Sequence, residues 1–252
     1  LAAEHIGVGA TALGRASHAQ DALYSQAFFA LSVGFERACK LGLTIDHAQT
    51  HGHFLDRKSL KALGHDLRDL LEKLDEVGQR RAASSESRRL PRSEIHNAIV
   101  GVLTDFAKNV TRYYNLELLA EEPTAVDPIA SWMERVTRPV LAVHDREHYR
   151  LRREARAASF ELLEPMVLIR QTSETGEALN TVAGNTIHGR TVEFARRWER
   201  MYLLQIARFV ATVLSHLGQP TNQMQVPYLS DFFRNFLTTD EFFRSKRNWS
   251  IY

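Results

Sequence analysis

The stretch DRKSLKALGHDLRDLLEKLDEV, residues 56–77, decides how this chain folds. Leu60, Leu63, Leu67, Leu70, Leu71, Leu74 and Val77 recur at helical spacing and share one face. A single helix through all of them would turn His65 almost directly away from that face, into solvent. Gly64 argues against it, because glycine inside a helix costs about 1 kcal/mol relative to alanine. The alternative is a short turn over SLKAL, a break at Gly64, and a new helix capped by Asp66. An aspartate there can accept from the free backbone N–H groups of the first turn. His65 would then fix the turn at the helix start. We take this second reading.

Helical periodicity dominates on both sides of this stretch. Upstream, a helix is expected from about residue 16 to 41. Ala27, Ala30, Gly34 and Ala38 form a stripe of small residues, flanked by Leu23, Leu31 and Phe35, that lets another helix approach closely. Glu36 and Lys40 stand four apart in the favourable order for an ion pair. LGLTIDHAQTHGHF (41–54) is expected to leave the helix as a loop. GVGATALG, near the start, follows no strand and does not read as a phosphate-binding loop.

Downstream, GQRRAASSESRRLPRSE (78–94) reads as an arginine-rich loop, either solvated or phosphate-contacting. Ser93 can cap a helix whose apolar face is Ile95, Ile99, Val102, Phe106, Val110 and Tyr113 or Tyr114. Asp127-Pro128 is a cap followed by a proline at the first helical position. A further helix starts or kinks near Arg138-Pro139 and runs to about residue 163. Residues 165–190, PMVLIRQTSETGEALNTVAGNTIHGR, form either a β-hairpin or an irregular excursion. Helicity returns from about residue 191 to 217, where Gly218 and Pro220 stop it. The tail holds Phe232, Phe233, Phe236, Phe242, Phe243 and Trp249, which should pack on the bundle or on a second copy.

The expected fold is therefore all-α. Residues 1–164 make a helical bundle, and 165–252 add the excursion and C-terminal helices packed on it. The chain has 252 residues, 44% of them hydrophobic and 25% charged, enough for a sizeable core. A net charge of +2 is too mild to imply nucleic-acid binding by itself, so local clustering has to carry that argument. Cys39 is the one cysteine, which excludes an internal disulfide, fits a reducing cytoplasmic setting and reads as a buried small residue. No apolar run approaches the ~20 residues of a membrane span, and the opening residues are too polar for a signal-peptide core.

YSQAFFALSVGFERACKLGL (24–43), LKALGHDLRDLL (60–71) and FAKNVTRYYNL (106–116) together resemble the HEPN superfamily. These are helical domains of prokaryotic toxin–antitoxin, phage-defence and nucleotidyltransferase-associated systems. The resemblance covers about half of the chain. It rests on the small-residue face with Glu36 and Lys40, the His65-Asp66-Leu67 step and the Arg112-Tyr113 step. It implies a homodimer and places His65 at a helix start. Catalytic members are metal-independent ribonucleases that use an Arg, four to six residues, then a His. Arg138 and His144 match that spacing, although Pro139 stands where a polar residue is common. Histidine can move a proton near neutral pH, and arginine can stabilise the phosphoryl transition state.

Two other clusters hold several histidines. HDREH (144–148) has the order of an inverted zinc-protease motif, with His144 and His148 four apart. DHAQTHGHFLD (46–56) gathers His47, His51 and His53 and could attract a transition metal. Neither amounts to a metal site in this reading, and no cofactor is expected. Arg150, Arg153, Arg196 and Arg197 are the candidate RNA-binding residues, with Arg152, Arg156 and Arg200 nearby. Two functions follow. One is a HEPN-like RNA-associated protein, as a ribonuclease effector of a defence or toxin–antitoxin system. The other is a non-catalytic module that dimerises or docks a partner protein such as an antitoxin. No membrane partner is expected.

Overall fold

The computed structural model describes residues 1–81, 89–108, 120, 126–218 and 228–249. Among these the fold is all-helical with one small hairpin. The N-terminal residues, GVGATALG included, form helix α1 (Ala2–Leu13). It lies against α2 (Ala22–His51), and the stripe of small residues explains how closely. A Cβ on Gly34 would come within 2.9 Å of the Ile6 backbone nitrogen, and one on Gly9 within 2.9 Å of Leu31 Cδ2. α2 does not stop near residue 41. Ile45 and Ala48 stay buried and carry the apolar face onward, and the helix ends at Gly52, in the left-handed region at φ 78°.

The break in 56–77 is as read. Helix α3 (Arg57–Ala62) is capped by Asp56, whose side chain accepts from Ser59 N at 2.7 Å. Gly64 adopts φ 68°, a conformation that favours glycine. Asp66 Oδ1 then accepts from the N–H groups of Arg68 and Asp69 at 3.0 and 3.1 Å, opening α4 (Leu67–Arg81). The break lets Leu67, Leu70, Leu71, Leu74 and Val77 face the core while Leu60 stays exposed. His65 Nδ1 meets Glu36 Oε1 at 3.0 Å, and Lys40 Nζ donates to the same oxygen at 2.8 Å. The histidine therefore ties the start of α4 to α2.

Ser93 caps α5 (Glu94–Ala107) by accepting from His96 N. Val110, Arg112, Tyr113, Tyr114 and Pro220 lie outside the described residues. The helix expected from Arg138 to about residue 163 is instead interrupted. α6 (Pro128–Trp132) widens into a π turn (Met133–Thr137), then tightens into α7 (Arg138–His144). Pro139 has no N–H to offer the carbonyl of Arg135, and Arg138 N bonds back to Met133 O in the wider register. α7 stops at Asp145, and α8 (Glu147–Ala158) is followed by a 3-10 turn (Glu161–Met166).

The excursion contains a hairpin, β1 (Gln171–Thr172) antiparallel to β2 (Ala178–Leu179), with Gln171 opposite Leu179. Helicity resumes well before residue 191. Thr181 caps the 36-residue α9 (Val182–Leu217), its Oγ1 accepting from Gly184 N at 3.0 Å. α9 packs against α1, α2, α4 and α5. The tail adds α10 (Leu229–Phe233) and α11 (Asp240–Ser245). Phe233, Phe236, Phe243 and Trp249 are buried, and Trp249 N donates to Thr11 Oγ1 at 2.8 Å, so the tail closes over this bundle. One apolar core runs from Ala3 to Trp249. No helix among the described residues is long and apolar enough to cross a membrane.

Candidate nucleic-acid groove

Successive residues of α9 go to opposite fates because each helical step turns about 100°. Arg196 points inward and is 2% exposed, bonded to Glu199 and Tyr24. It borders a surface depression, as Arg200 does, but its guanidinium is already taken by a carboxylate. Glu199 also accepts from Trp132 Nε1 at 3.0 Å and Thr137 Oγ1 at 2.7 Å, so this ion pair is sealed in the core. Arg197, next in the chain, points into a groove between α8, α9 and α11.

One end of the groove is a depression of about 400 Å³ lined by Arg15, Arg196, Arg197, Arg200, Arg244 and Arg247 beside Glu193. Arg200 is its decisive member. It is 3% exposed, yet it forms no ion pair among the described residues. Its Nε and Nη2 donate only to the carbonyls of Phe243 and Arg244, at 3.4 and 3.2 Å. Burial, followed by repulsion from Arg247 and Arg197, pulls its pKa down to about 10. Arg244 Nε is buried with no hydrogen-bond partner. Glu193 is the acid at this end, 3.9 Å from Arg247 and 3.3 Å from Arg190.

The adjoining depression, about 530 Å³, shares Glu193, Arg197, Arg244 and Ser245 and adds Tyr149, Phe194 and Trp198. Arg244 lies over the Trp198 ring at 4.8 Å and Arg153 over Phe194 at 5.7 Å. Arg153 also pairs with Asp145 at 2.5 Å, and its Nε has no partner. Of the four arginines expected to hold RNA, Arg153, Arg196 and Arg197 line the groove, Arg196 with its charge already paired to Glu199. Arg150 is exposed on α8 outside its lining. Arg244 and Arg247 escape a reading of the sequence. Their signal is the RSKR run after the Phe242-Phe243 pair, which reads as tail until it folds back.

Arg138 and His144 sit on one helix in different surroundings. The Arg138 side chain is 74% exposed and paired with Glu134. His144 stacks on Trp198, ring centroids 3.7 Å apart and planes 4° from parallel, with Nε2 3.0 Å from Tyr202 Oη. Burial, then Arg244 and Arg146, lower its pKa. The arginine beside His144 across the Trp198 indole is thus Arg244, and the chain does not bring Arg138 to it. The zinc-protease string fails as a motif because His144 ends α7 and His148 belongs to α8.

His47 and His51 are helical, not loop, residues, with rings stacked at 4.2 Å. His51 Nδ1 faces His47 O and His53 Nδ1 faces Phe54 O, so these side chains do not converge their donors. Among the described residues three donors converge elsewhere. His18, Glu174 and His188 place one ligand atom each within 4.8 Å of the others. Glu174 is buried; its Oε2 lies 2.6 Å from His188 Nε2, and Tyr24 Oη donates to Oε1 at 2.8 Å. Burial works to raise the Glu174 pKa, but the bonds from His188, its own backbone and Tyr24 prevail and bring it to about 2. No spacing in the sequence could have revealed a set drawn from residues 18, 174 and 188.

Fold and groove together define a helical bundle with an arginine-rich, aromatic-lined surface cleft. No family model, curated protein or solved structure significantly matches this chain.

Proposed function

We propose that this protein is a HEPN-like, RNA-associated protein of a prokaryotic defence or toxin–antitoxin system. It holds single-stranded RNA in the groove between α8, α9 and α11. The observation that carries this reading is Arg200, a buried cation without a carboxylate partner among the described residues, facing the same depression as Arg197, Arg244 and Arg247. A buried charge is costly unless paired, and a phosphate is the anion such a fork-shaped cluster suits. Tyr149, Phe194 and Trp198 offer flat faces on which bases can stack, the usual complement to a basic groove for single strands. The HEPN part is supported by the way Glu36, Lys40, His65 and Asp66 gather at one helix start.

A second reading, ribonuclease action, is favoured by one contact. His144 stacks on Trp198 at the groove, and its lowered pKa leaves it neutral near pH 7 and able to accept a proton from a ribose 2'-hydroxyl. Arg244 would then serve the phosphate. The test is fluorescence anisotropy with a labelled single-stranded RNA in EDTA, beside gel analysis of its ends. Salt-sensitive binding that drops at least tenfold in Arg197→Gln/Arg247→Gln supports the groove. Binding unchanged by that double variant overturns it. Cleavage to cyclic-phosphate ends that vanishes in His144→Ala supports the second reading, and intact RNA after long incubation removes it.

A further inference from the structure

The three donors at the hairpin tip are not among the residues that line the groove. We propose that His18, Glu174 and His188 form a binding site for a divalent transition-metal ion of the zinc type. The donor set is two imidazoles and one carboxylate, which suits such an ion and leaves a fourth position free.

Three observations support it. The first is the orientation of His18. Its Nε2 stands 3.0 Å from Gln171 Oε1 and 2.9 Å from Asn185 Oδ1, so Nε2 carries the proton and two carboxamides fix the ring. That leaves Nδ1 as a bare lone pair, and this atom is buried without a partner. A second polar group holding the far nitrogen of a histidine is the arrangement metal ligands use.

The second is the support behind Glu174. Tyr24 occupies its Oε1 and is itself held by Arg196, leaving Oε2 on the side of His188. The third is charge. Glu174 and Glu199 are both buried, and Arg196 is the fully buried cation between them. The free side of Glu174 faces His188, and an ion bound there would add positive charge beside the carboxylate.

The ligand atoms lie within 4.8 Å of one another, against about 3.4 Å for ligands on a small tetrahedral ion, and the 2.6 Å hydrogen bond between Glu174 Oε2 and His188 Nε2 would open to admit the ion. His18 and Gln171 also border a surface depression with Thr172 and Asn180. Bound there, the ion would pin the loop after α1, the hairpin and the first turns of α9 to one point.

The test is isothermal titration of the metal-stripped full chain with zinc chloride, followed by thermal melting. We expect one ion per chain at micromolar affinity or tighter and a melting temperature that rises with zinc. His18→Gln should weaken binding at least tenfold while the metal-free circular dichroism spectrum and melting stay as in the wild type. His51→Gln, in the other histidine group, should bind as the wild type does. No zinc uptake by the wild type overturns the proposal. So does uptake that survives His18→Gln, or that disappears in His51→Gln.

Discussion

α9 carries two arginines one turn apart that meet opposite electrostatic surroundings. Arg196 is enclosed with Glu199, Trp132, Thr137 and Tyr24, and every charge in that group has a partner. Arg200 is buried as deeply and, among the described residues, bonds only to backbone carbonyls. The first arrangement is what a folded chain needs for its own sake. The second leaves positive charge unanswered beside Arg197, Arg244 and Arg247, which makes sense for a surface that waits for an anion. The contrast teaches that arginine count says little, while the whereabouts of the nearest carboxylate says much.

The strongest way to break the comparison is to remove the partner in the satisfied region. Glu199→Gln strands Arg196 in the core and should destabilise folding by about 3–5 kcal/mol, measured by urea denaturation. A loss below about 1 kcal/mol would mean that the buried pair is not what holds Arg196.

In the unsatisfied region the effects should reverse. Arg200→Met should leave stability within about 1 kcal/mol of the wild type, since the arginine has no ion pair to break among the described residues. RNA affinity should fall about tenfold, equal to about 1.4 kcal/mol. Arg197→Gln should also flatten the salt dependence, because one fewer phosphate is neutralised. The slope of log affinity against log salt should shrink by about 0.7 for a single strand. A protein that unfolds with Arg200→Met would place this residue in the structural class after all.

pH sharpens the same distinction. Burial lowers the pKa of His96, which bonds Gln205 Oε1 through Nε2 at 2.7 Å. In the unfolded chain the imidazole titrates near its ordinary value of about 6.5. The unfolded state therefore binds more protons below that value. Stability from this group is present above about pH 6.5 and is lost as pH falls through the folded pKa. His144 acts in the same direction. Urea midpoints should drop from pH 7.5 to 5.5, and less so in His96→Gln.

The smallest effect is expected at Arg138. Its exposed pair with Glu134 is of the kind worth about 0–1 kcal/mol. Arg138→Ala should leave stability and RNA binding nearly unchanged. A large drop in RNA binding would return this residue to the site.

Local signals in the sequence determined much of the fold. The Gly64-His65-Asp66 break, the Ser93 and Asp127 caps and the apolar face of α4 follow from backbone chemistry within a few residues. The small-residue stripe announced a close helix neighbour, though not that α1 would be that neighbour. The extension of α2 to His51 escaped because packing of Ile45 and Ala48 overrode residues of weak helical preference, and the start of α9 at Val182 because its Thr181 cap lies inside a Thr- and Gly-rich run.

What only the tertiary structure decided is which charges meet. Arg196 and Arg197 are neighbours in the chain, yet one is neutralised by the core and the other is left in a groove completed by Arg15 and Arg244. His18, Glu174 and His188 converge only once the hairpin folds against the α1–α2 loop and α9. The physical reason is range. Helix formation reads the nearest few residues, whereas burial, ion pairing and ligand geometry depend on contacts between segments far apart in the chain.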